Sequence, residues 1–483
     1  MQAQFMKNDP QYLSCKHKGC SGSLKFHVVN IRSEIEFAFF TGGYLSPCLV
    51  ARSIPIKFEN PKMPLYGHLS STDSTGTSMR LTWVSGDNKP QEIQYGDGKK
   101  VTSGVTTFSQ RDMCSTADVP SPAKDFGWHD PGFIHSAVMT GLKPSSTFSY
   151  KYGSDSVGWS EQIQFSTPPA GGASEDLRFI AFGDMGKTPL DDSNEHYIQP
   201  GAHSVITAIA DDVKSNNIKS IFHIGDISYA TGFLAEWDYF LHLISPVASK
   251  ISYMTAIGNH ERDYISSGSV YGKADSGGEC GVPYETYFPM PVPQNDKPWY
   301  SIEQASVHFT IISTEHDWSP SSEQYQWIQK DLASVNRKNT PWLVFMGHRQ
   351  MYHSGGLANA DLKFINAIEP VLLHNKVDLV LFGHVHNYER TCSVYQNACF
   401  ALPQKDAKGV DTYNHRNYTA PVHAIIGMAG FTLDKFPNKV KTWSLKRISK
   451  YGYLRGHATR TELKLEFVNS DTRKVDDAFR ITK

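Results

Sequence analysis

Polar side chains that can bind metal ions follow five apolar segments of this chain. The segments are RFIAFGDMG (178–186), SIFHIGDISY (220–229), YMTAIGNHE (253–261), WLVFMGHR (342–349) and VDLVLFGHVH (377–386). Each is a short apolar run that stops at a glycine and then at Asp, Asn or His, a pattern typical of buried parallel strands. Because ligands in open α/β sheets bind just beyond the carboxyl ends of strands, we expect these side chains to meet around one crevice.

The five segments together carry enough ligands for two metal ions: Asp184, Asp226, Tyr229, Asn259, His348, His384 and His386. One such group at a strand end is usually only a satisfied polar residue, because a buried polar group without a partner costs free energy. Five polar ends in succession favour a binding site instead. A mixed set of nitrogen and oxygen ligands is wrong for calcium and suits iron, zinc or manganese.

The elements that must position these residues can be predicted from the periodicity around them. Helical patterns lie between the segments, at 202–217, 321–336 and 360–375, and the tail from HATRTELKLEFVNSDT onward returns to strand character. Strands that alternate with helices predict a mostly parallel sheet with helices on its faces.

Before about residue 170, the pattern of apolar and polar residues is different. Short alternating runs stand between turn residues and are typical of a β-sandwich; they are SMRLTWVS (78–85), EIQYG (92–96), FIHSAVM (133–139) and EQIQFST (161–167). The proline, glycine and serine of STPPAGGASED (166–176) predict a linker. Residues 1–60 are also β-rich, in SLKFHVVN and EIEFAFFTGG, and are interpreted as an incomplete additional module.

Length and composition limit the function classes. A chain of 483 residues exceeds what one core usually supports, so two or three domains are expected. The net charge is −1 and there are no blocks of like charge, so the sequence has no basic patch of the kind that binds nucleic acid. No apolar stretch approaches the roughly 18 residues that span a bilayer, and the sequence as given has no export signal.

The seven cysteines give a limited signal. Cys392 and Cys399 are close enough to close a small loop, and a disulfide is slightly favoured over two free thiols. Cys15 and Cys20 form a CxxxxC pair without a second pair, which argues against a structural zinc site. An odd count leaves at least one thiol unpaired. Asn417 begins the single glycosylation sequon, which matters only in a secreted protein.

The order and spacing of GDMG, GDISY, GNHE, GHR and GHVH resemble the five-block signature of the purple acid phosphatases, which are calcineurin-like metallophosphatases. The resemblance runs from about residue 60 to the end. It includes GGECGVP (277–283), TEHDW (314–318) and NYERTC (387–392), which look like the large plant subgroup. Some members of that subgroup are described as nucleotide pyrophosphatases/phosphodiesterases.

The resemblance implies an α/β metallophosphatase fold, an αββα sandwich, preceded by a fibronectin-III-like β-sandwich. We expect a β-rich segment at 1–65, the fibronectin-III-like domain at 66–168 and the metallophosphatase domain at 172–483. GLKPSSTFSYKYG (141–153) resembles the corner of a fibronectin type III domain, with Phe148 in place of the usual tyrosine.

Roles for the seven ligands follow from the resemblance. Asp184, Tyr229 and His386 would bind Fe(III), because a hard trivalent ion suits a carboxylate and a phenolate. The remaining ligands would bind a divalent Zn, Mn or Fe ion, with Asp226 as the bridge between the two ions; they are Asn259, His348 and His384. The implied activity is that of an acid phosphatase, in which a metal-activated hydroxide hydrolyses phosphate esters at acidic pH.

Two histidines are candidates for the proton chemistry. His260, next to Asn259, is expected to donate to phosphate or to protonate the leaving oxygen. Better-known plant phosphatases carry one or two histidines about nine residues beyond the fourth-block ligand, whereas the stretch 349–361 holds only His353. His353 is the second candidate acid, and an exposed loop histidine is an equal alternative. His316 is interpreted as a packing or supporting residue.

Three functions therefore stand side by side: an acid phosphatase, a nucleotide pyrophosphatase/phosphodiesterase, and a catalytically silent binding homologue. Partners are phosphorylated small molecules or nucleotides, with no nucleic-acid binding and no membrane span. The β-rich half is best interpreted as a scaffold that packs on the catalytic domain or forms a homodimer. The family implies a secreted, cell-wall or vacuolar location, and we interpret the first residue of this chain as lying inside an N-terminal domain.

Overall fold

The computed structural model describes residues 23–43, 45–191, 193, 197–355, 360–439 and 441–483. In the N-terminal part, strands β1 (Ala38–Thr41) and β2 (Cys48–Arg52) form an antiparallel pair. The predicted strand SLKFHVVN (23–30) has no regular hydrogen-bond ladder. Residues 1–22, with Cys15 and Cys20, lie outside the described residues.

A β-sandwich follows, as the alternating runs predicted. Its strands are β3 (Leu65–Ser71), β4 (Met79–Ser85), β5 (Glu92–Tyr95), β6 (Lys99–Thr102), β7 (Gly104–Thr106), β8 (Phe133–Met139), β9 (Thr147–Ser154), β10 (Gly158–Trp159) and β11 (Ile163–Ser166). One sheet has the order β3-β4-β8-β7 and the other β10-β9-β5-β6, with β11 paired to β9. Their inner faces enclose a core that includes Leu81, Trp83, Tyr150 and Phe165.

The C-terminal region contains sixteen further strands and six helices. The strands are β12 (Leu177–Phe182), β13 (Ser220–Ile224), β14 (Ser252–Ala256), β15 (Tyr300–Gln304), β16 (Val307–Ile311), β17 (Trp342–Gly347), β18 (Leu379–Phe382), β19 (Tyr388–Tyr395), β20 (Ala398–Ala401), β21 (Gln404–Lys405), β22 (Asp411–Asn414), β23 (Val422–Ile426), β24 (Ser444–Ile448), β25 (Gly452–Ala458), β26 (Glu462–Asn469) and β27 (Val475–Thr482). The helices are α1 (Ala202–Ser215), α2 (Ala235–Ala248), α3 (Asn259–Arg262), α4 (Val282–Tyr287), α5 (Glu323–Ser334) and α6 (Leu362–His374). Both counts refer to the described ranges, which also hold three short turns of 3₁₀ or π type at Gln110–Asp112, Pro122–Phe126 and His415–Asn417.

These strands form two eight-stranded mixed sheets instead of one mostly parallel sheet. The first sheet has the order β14-β13-β12-β25-β26-β27-β22-β21, and the second has the order β15-β16-β17-β18-β23-β19-β20 with β24 on β19. The five ligand-bearing strands are parallel within their sheets, but three belong to the first sheet and two to the second. The prediction of one sheet was wrong because the spacing of strands along the chain does not encode which sheet each strand joins.

The two sheets stack face to face, with helices outside. Phe309 of the second sheet packs against Phe179 and Phe222 of the first, with ring centroids 5.3 and 4.3 Å apart. Strand β17 alternates between the layers: Val344 packs in the core that joins both sheets, and Phe345 packs with helices α5 and α6. Such alternation follows from the two-residue period of a strand. The described residues thus confirm the predicted αββα sandwich after a β-sandwich.

The predicted linker is a packed junction. The backbone N–H of Gly171 donates to Ser74 O at 2.7 Å, and that of Gly172 donates to Ala305 O at 2.6 Å. Proline and glycine excluded helix and strand there, as the composition indicated, but they do not prevent docking against the neighbouring domain.

Several contacts hold the N-terminal part and the sandwich against the catalytic region. Arg32 makes a bidentate contact with Asp238 of α2, at 2.6 and 2.7 Å. The hydroxyl of Tyr150, two residues after Phe148, donates to Ser249 O at 2.8 Å. Within the described ranges, a disulfide joins Cys114 to Cys280, directly before α4. The predicted disulfide between Cys392 and Cys399 is confirmed, and the exposed Cys48 is a free thiol.

Loss of the interdomain disulfide is expected to destabilise the folded chain measurably. Cys114 and Cys280 are 166 residues apart, so the cross-link removes much loop entropy from the unfolded state. We expect Cys114→Ser to lower the free energy of unfolding by about 2–5 kcal/mol in urea denaturation. The control is Cys48→Ser at the exposed free thiol, which is expected to leave the midpoint unchanged. Equal midpoints for both variants would contradict this structural role.

Candidate metal centre

The seven candidate ligands stand just beyond the carboxyl ends of β12, β13, β14, β17 and β18. The first sheet contributes every oxygen donor, namely Asp184, Asp226, Tyr229 and Asn259. The second sheet contributes every imidazole, namely His348, His384 and His386. The crevice is therefore formed where the strand ends of two stacked sheets meet, in place of the single-sheet crevice that was predicted.

Four of these residues have a left-handed backbone: φ is 62° at Asp184, 50° at Asp226, 52° at Tyr229 and 67° at His384. This conformation costs a residue other than glycine about 1–3 kcal/mol and persists only where the surroundings enforce it. It turns each side chain sharply away from its strand and into the crevice. Strain of this kind is concentrated at functional sites.

The motif glycines allow close approach of side chains to the backbone. A Cβ on Gly225, where φ is 87°, would lie 2.4 Å from His348 Nδ1. A Cβ on Gly383 would lie 2.6 Å from Asp184 Oδ2. Both contacts are shorter than real Cβ contacts, so a glycine is required before these ligand positions.

One half of the centre is formed around His348. Its Nε2 lies 3.2 Å from Asp226 Oδ2, 3.0 Å from Asn259 Oδ1 and 3.3 Å from His384 Nδ1. Asp226, His348 and His384 each offer a ligand atom within 4.8 Å of the others, which is a spacing that could hold a metal ion. The other ring nitrogen of His348 donates to Ile224 O at 3.1 Å and fixes the ring.

The other half is formed around Tyr229. Its hydroxyl lies 3.3 Å from Asp184 Oδ1, 3.2 Å from Asp226 Oδ2 and 3.2 Å from His386 Nε2. Asp184, Asp226 and His386 are also close enough to hold a metal ion. Asp226 is the residue that the two groups share. Asp226 is 1% exposed; its Oδ2 makes the contacts to both groups, and its Oδ1 accepts from the backbone N–H of His260 at 3.0 Å.

Glu261 of helix α3 holds the loop that carries Asp226. Its carboxylate accepts hydrogen bonds from the backbone N–H groups of Asp226, Ile227 and Gly258, at 2.9, 2.8 and 3.0 Å. The side chain is fully buried. A carboxylate with three backbone donors can keep the left-handed turn at Asp226 in place, because each donor would otherwise be buried without a partner.

The electrostatics of the crevice require positive charge. Burial alone would raise the pKa of Asp226, but the nearby His348 and His260 hold it well below its usual value. Burial lowers the pKa of His348, yet Asp226 and Asp184 raise it overall to about 10. Burial raises the pKa of Asp184, so its ionised form needs a cation beside it, as that of Asp226 does, and either an imidazolium at His348 or a metal ion can fill that role.

The donor chemistry fits metal ions. Burial, and then Asp226 and Asp184, raise the pKa of the Tyr229 phenol well above its usual value, so only a strongly charged partner would favour the phenolate. Burial and the guanidinium of Arg349 lower the pKa of His384, which favours the neutral imidazole that binds metals. The residues present are therefore suited to metal ions.

His260 stands at the edge of this crevice. Its backbone N–H donates to Asp226 Oδ1 at 3.0 Å, and its Nδ1 donates to Asp275 O at 2.9 Å. Its Nε2 lies 3.9 Å from Asp226 Oδ2, and its ring centroid is 4.7 Å from that of Tyr229. The structure thus brings His260 together with the predicted ligands.

The other predicted histidines are placed elsewhere. The Nδ1 of His353 donates to Gly355 O within its own loop, and no hydrogen bond from His353 to the seven ligands is found in the described ranges. It lines a cavity of about 590 Å³ together with Lys435, Phe436 and Trp443. Its catalytic role stays a prediction. His316 is buried beside Trp299 and contacts Ser313 Oγ at 2.7 Å, as expected of a packing residue.

Sequence reasoning missed the residues that support the ligands. In the sequence, Arg349 is only the last residue of the GHR block and no role was predicted for it. In the structure, its Nη1 lies 3.0 Å from His384 Nε2. Asp434 accepts from the N–H of His386 at 3.1 Å. An Arg or Glu within one or two residues of a ligand in a motif is the signal that could have identified Arg349 and Glu261. Asp434 lies far beyond the last motif and carries no such signal.

Four family descriptions match consecutive parts of the chain. They are "Fn3-like domain from Purple Acid Phosphatase" at residues 1–60, "Purple acid Phosphatase, N-terminal domain" at 64–167, "Calcineurin-like phosphoesterase" at 177–388 and "Iron/zinc purple acid phosphatase-like protein C" at 420–478. The match at 177–388 contains all seven candidate ligands.

Individual relatives agree with these matches. The chain is 37% identical to "Probable inactive purple acid phosphatase 27" of Arabidopsis thaliana, over 99% of this chain and 78% of that protein. It is 36% identical to a "Nucleotide pyrophosphatase/phosphodiesterase" of Hordeum vulgare, over 68% of this chain and 88% of that protein. The solved structure of purple acid phosphatase PPD1 from yellow lupin (Lupinus luteus) seeds superposes with a TM-score of 0.88 and 38% identity, covering 95% of this chain and 81% of that one.

Proposed function

This chain belongs to the purple acid phosphatase family, and we propose from that premise that its crevice is a binuclear metal centre that hydrolyses phosphate esters at acidic pH. The observation that carries the proposal is the position of Asp226. One buried carboxylate lies 3.2 Å from His348 Nε2 in one group and 3.2 Å from the Tyr229 hydroxyl in the other. Such a shared carboxylate suits two ions held about 3.5–4 Å apart.

The proposed ligand assignment follows the two groups. Fe(III) would be held by Asp184, Tyr229 and His386, and a divalent Zn, Mn or Fe ion by Asn259, His348 and His384, with Asp226 between them. The hard oxygen donors of the first set match a trivalent ion, and the two imidazoles of the second match a softer divalent ion. When bound, the ions would supply a water of lowered pKa and positive charge for the phosphate oxygens.

The protein's own groups would orient the substrate and move a proton. Because the Nδ1 of His260 faces a carbonyl oxygen, which can only accept, that nitrogen carries a proton. The Nε2 atom then becomes a donor only in the imidazolium form. In that form His260 can donate to a phosphate oxygen or protonate the leaving oxygen. His353 remains the alternative acid, although its hydrogen bond lies within its own loop.

Tyr229→Phe is expected to abolish the visible absorption band of the iron-loaded protein, because that colour requires charge transfer from a phenolate to Fe(III). The protein should still bind iron, since Asp184, His386 and Asp226 remain. The measurement is an absorption spectrum beside the metal content of the same sample. Tyr197→Phe is the matched control, because its ring centroid lies 6.4 Å from that of Tyr229 and its hydroxyl is not an assigned ligand. An iron-loaded Tyr229→Phe protein that kept its band would refute the phenolate assignment.

A nucleotide pyrophosphatase/phosphodiesterase is the second candidate function. It is favoured by the barley relative of that name and by the stretch 349–361, in which His353 is the only histidine. Diphosphates need less acid assistance than alkyl esters, because their leaving group is already stable as an anion. Hydrolysis of ATP or a dinucleotide, compared with that of p-nitrophenyl phosphate, separates the two activities.

A silent binding homologue is the candidate of another class, and the printed name of the Arabidopsis relative includes the word "inactive". Seven clustered ligands argue against it, since a protein that only binds a partner has no physical need for them. Iron-loaded protein that is colourless and hydrolyses none of these three substrates would establish the silent alternative.

We place the protein in a secretory, cell-wall or vacuolar environment. The two disulfides among the described residues are typical of an oxidising compartment. Asn417 of the sequon is exposed in a short 3₁₀ turn, where a glycan would be accommodated. Among the described helices, none has the length and apolar character needed to cross a bilayer. A glycosidase-sensitive shift in mass, absent in Asn417→Gln, tests this placement.

A further inference from the structure

The guanidinium of Arg349 lies at the edge of the crevice, on the side of the proposed divalent ion. Its Nη1 is 3.0 Å from His384 Nε2, and its Nη2 is 3.9 Å from Asp275 Oδ2. The same Asp275 oxygen accepts from Asn259 Nδ2 at 3.1 Å. The Arg349 side chain is 11% exposed.

Three side chains fix the guanidinium in one orientation. Its Nε donates to Glu315 Oε2 at 3.0 Å, and its Nη2 donates to Asp263 Oδ2 at 2.8 Å. Both carboxylates are completely buried. The guanidinium also stacks on the ring of Tyr271, 4.1 Å from its centroid. A cation held in this way is already ordered before a ligand arrives, so little entropy is lost when it binds.

The third nitrogen of the guanidinium, Nη1, contacts His384 Nε2, and metal binding to His384 would take this hydrogen-bond acceptor away. A guanidinium can only donate, so the contact uses the lone pair of His384 Nε2. The other nitrogen, Nδ1, faces the ligand atom of His348 at 3.3 Å. If His384 binds a metal through Nδ1, its neutral ring carries the proton on Nε2. The N–H at His384 Nε2 and the N–H at Arg349 Nη1 would then face each other, with no acceptor between them. Nη1 would need a new hydrogen-bond acceptor.

We propose that this acceptor is a phosphate oxygen of the substrate, and that Arg349 directs the site toward phosphoanhydrides, such as nucleoside diphosphates, in preference to alkyl phosphates. The proposal rests on the proposed function of the metal centre. Arg349 brings a permanent charge, where a histidine would bring a transferable proton.

The chemistry of the leaving group explains this preference. In hydrolysis, the oxygen of water forms the new bond to phosphorus, and the bond to the leaving oxygen breaks with its electron pair on that oxygen. One proton of the water stays on its oxygen in the orthophosphate, and the other is released to solvent or taken up by the leaving oxygen. An alkoxide leaves poorly unless it receives a proton, whereas a departing phosphate needs only charge stabilisation. Arg349 can supply that stabilisation and cannot act as an acid.

The test compares Arg349→Gln and Arg349→Lys with the wild type, each as the full chain loaded with metal. Isothermal calorimetry with orthophosphate measures binding without turnover. We expect Arg349→Gln to weaken the binding of orthophosphate about 10- to 100-fold, because a hydrogen bond between charged groups is lost. Arg349→Lys keeps the charge and should weaken this binding less. Metal content per chain should stay that of the wild type.

A second readout is the ratio of kcat/KM for ADP to that for β-glycerophosphate. The wild type should favour ADP, and Arg349→Gln should lower this ratio at least tenfold, since the alkyl phosphate depends less on the guanidinium. Arg337→Gln is the matched control, because Arg337 also pairs with a buried carboxylate, Asp378 at 3.1 Å, but lies outside the crevice contacts. It should change neither readout.

Each outcome decides the question. Unchanged phosphate affinity in a metal-replete Arg349→Gln protein, or an equal loss for both substrates, would overturn the proposal. If the glutamine variant does not fold, Arg349→Lys decides, and phosphate affinity equal to wild type would likewise overturn it. A wild type that binds no phosphate and hydrolyses neither substrate refutes the proposed function itself, a different result from an active wild type that is insensitive to Arg349.

Discussion

Asp226→Ala is expected to leave a protein that binds neither metal ion and hydrolyses p-nitrophenyl phosphate about 10³-fold more slowly, or not at all. Asp226 contacts both ligand groups, through His348 in one and Tyr229 in the other. Its removal takes one ligand from each site and also removes the negative charge that stabilises the cations. The measurements are metal content by mass spectrometry and kcat/KM at acidic pH.

A comparison with Asp212→Ala separates this effect from general damage. Asp212 of helix α1 is also buried and pairs with Arg455 at 3.0 Å, but it is not among the seven ligands. We expect it to lower stability while both ions remain bound. Full metal content in Asp226→Ala would show that the bridging assignment is wrong, and loss of one ion alone would place Asp226 in a single site.

Glu261→Ala is expected to have the largest effect on stability. It leaves three buried backbone donors without an acceptor, those of Asp226, Ile227 and Gly258. Each such donor costs about 1–3 kcal/mol, so a loss of about 3–5 kcal/mol is expected once partial relaxation is allowed for. Because one of these donors belongs to Asp226 itself, metal affinity should fall with stability. Urea denaturation and metal titration measure the two effects.

Glu261→Gln and Glu323→Ala provide the controls. The glutamine variant keeps one oxygen acceptor and the shape of the side chain, so an intermediate loss is expected. Glu323 lies in the first turn of α5, is exposed and pairs with Lys297, so its removal should change stability by less than about 1 kcal/mol. If the Glu261→Ala protein were as stable as wild type, water would have replaced the carboxylate as acceptor. The turn at Asp226 would then not depend on Glu261.

Features that depend on residues close together in the chain could be predicted from the sequence. The runs before Gly183, Gly225 and Gly383 are strands, and helices α1, α5 and α6 lie within the stretches predicted for them. The short Cys392–Cys399 disulfide was predicted for the same reason, because only 7 positions separate its cysteines.

Features that depend on distant residues were not predictable. Cys114 and Cys280 are 166 positions apart, and no spacing rule connects them. Arg349 gains its orientation from Glu315 and Asp263, which lie 34 and 86 positions away. Helix α2, with the sequence AEWDYFLHLISPVA, was not predicted either.

The division of ligands between the two sheets makes each proposed ion a cross-link between layers. One ion would join Asp184 and Tyr229 to His386, and the other would join Asn259 to His348 and His384, so neither sheet could form a complete site alone. Folding and metal uptake are then thermodynamically linked, and chelation should loosen the stack before it unfolds either layer.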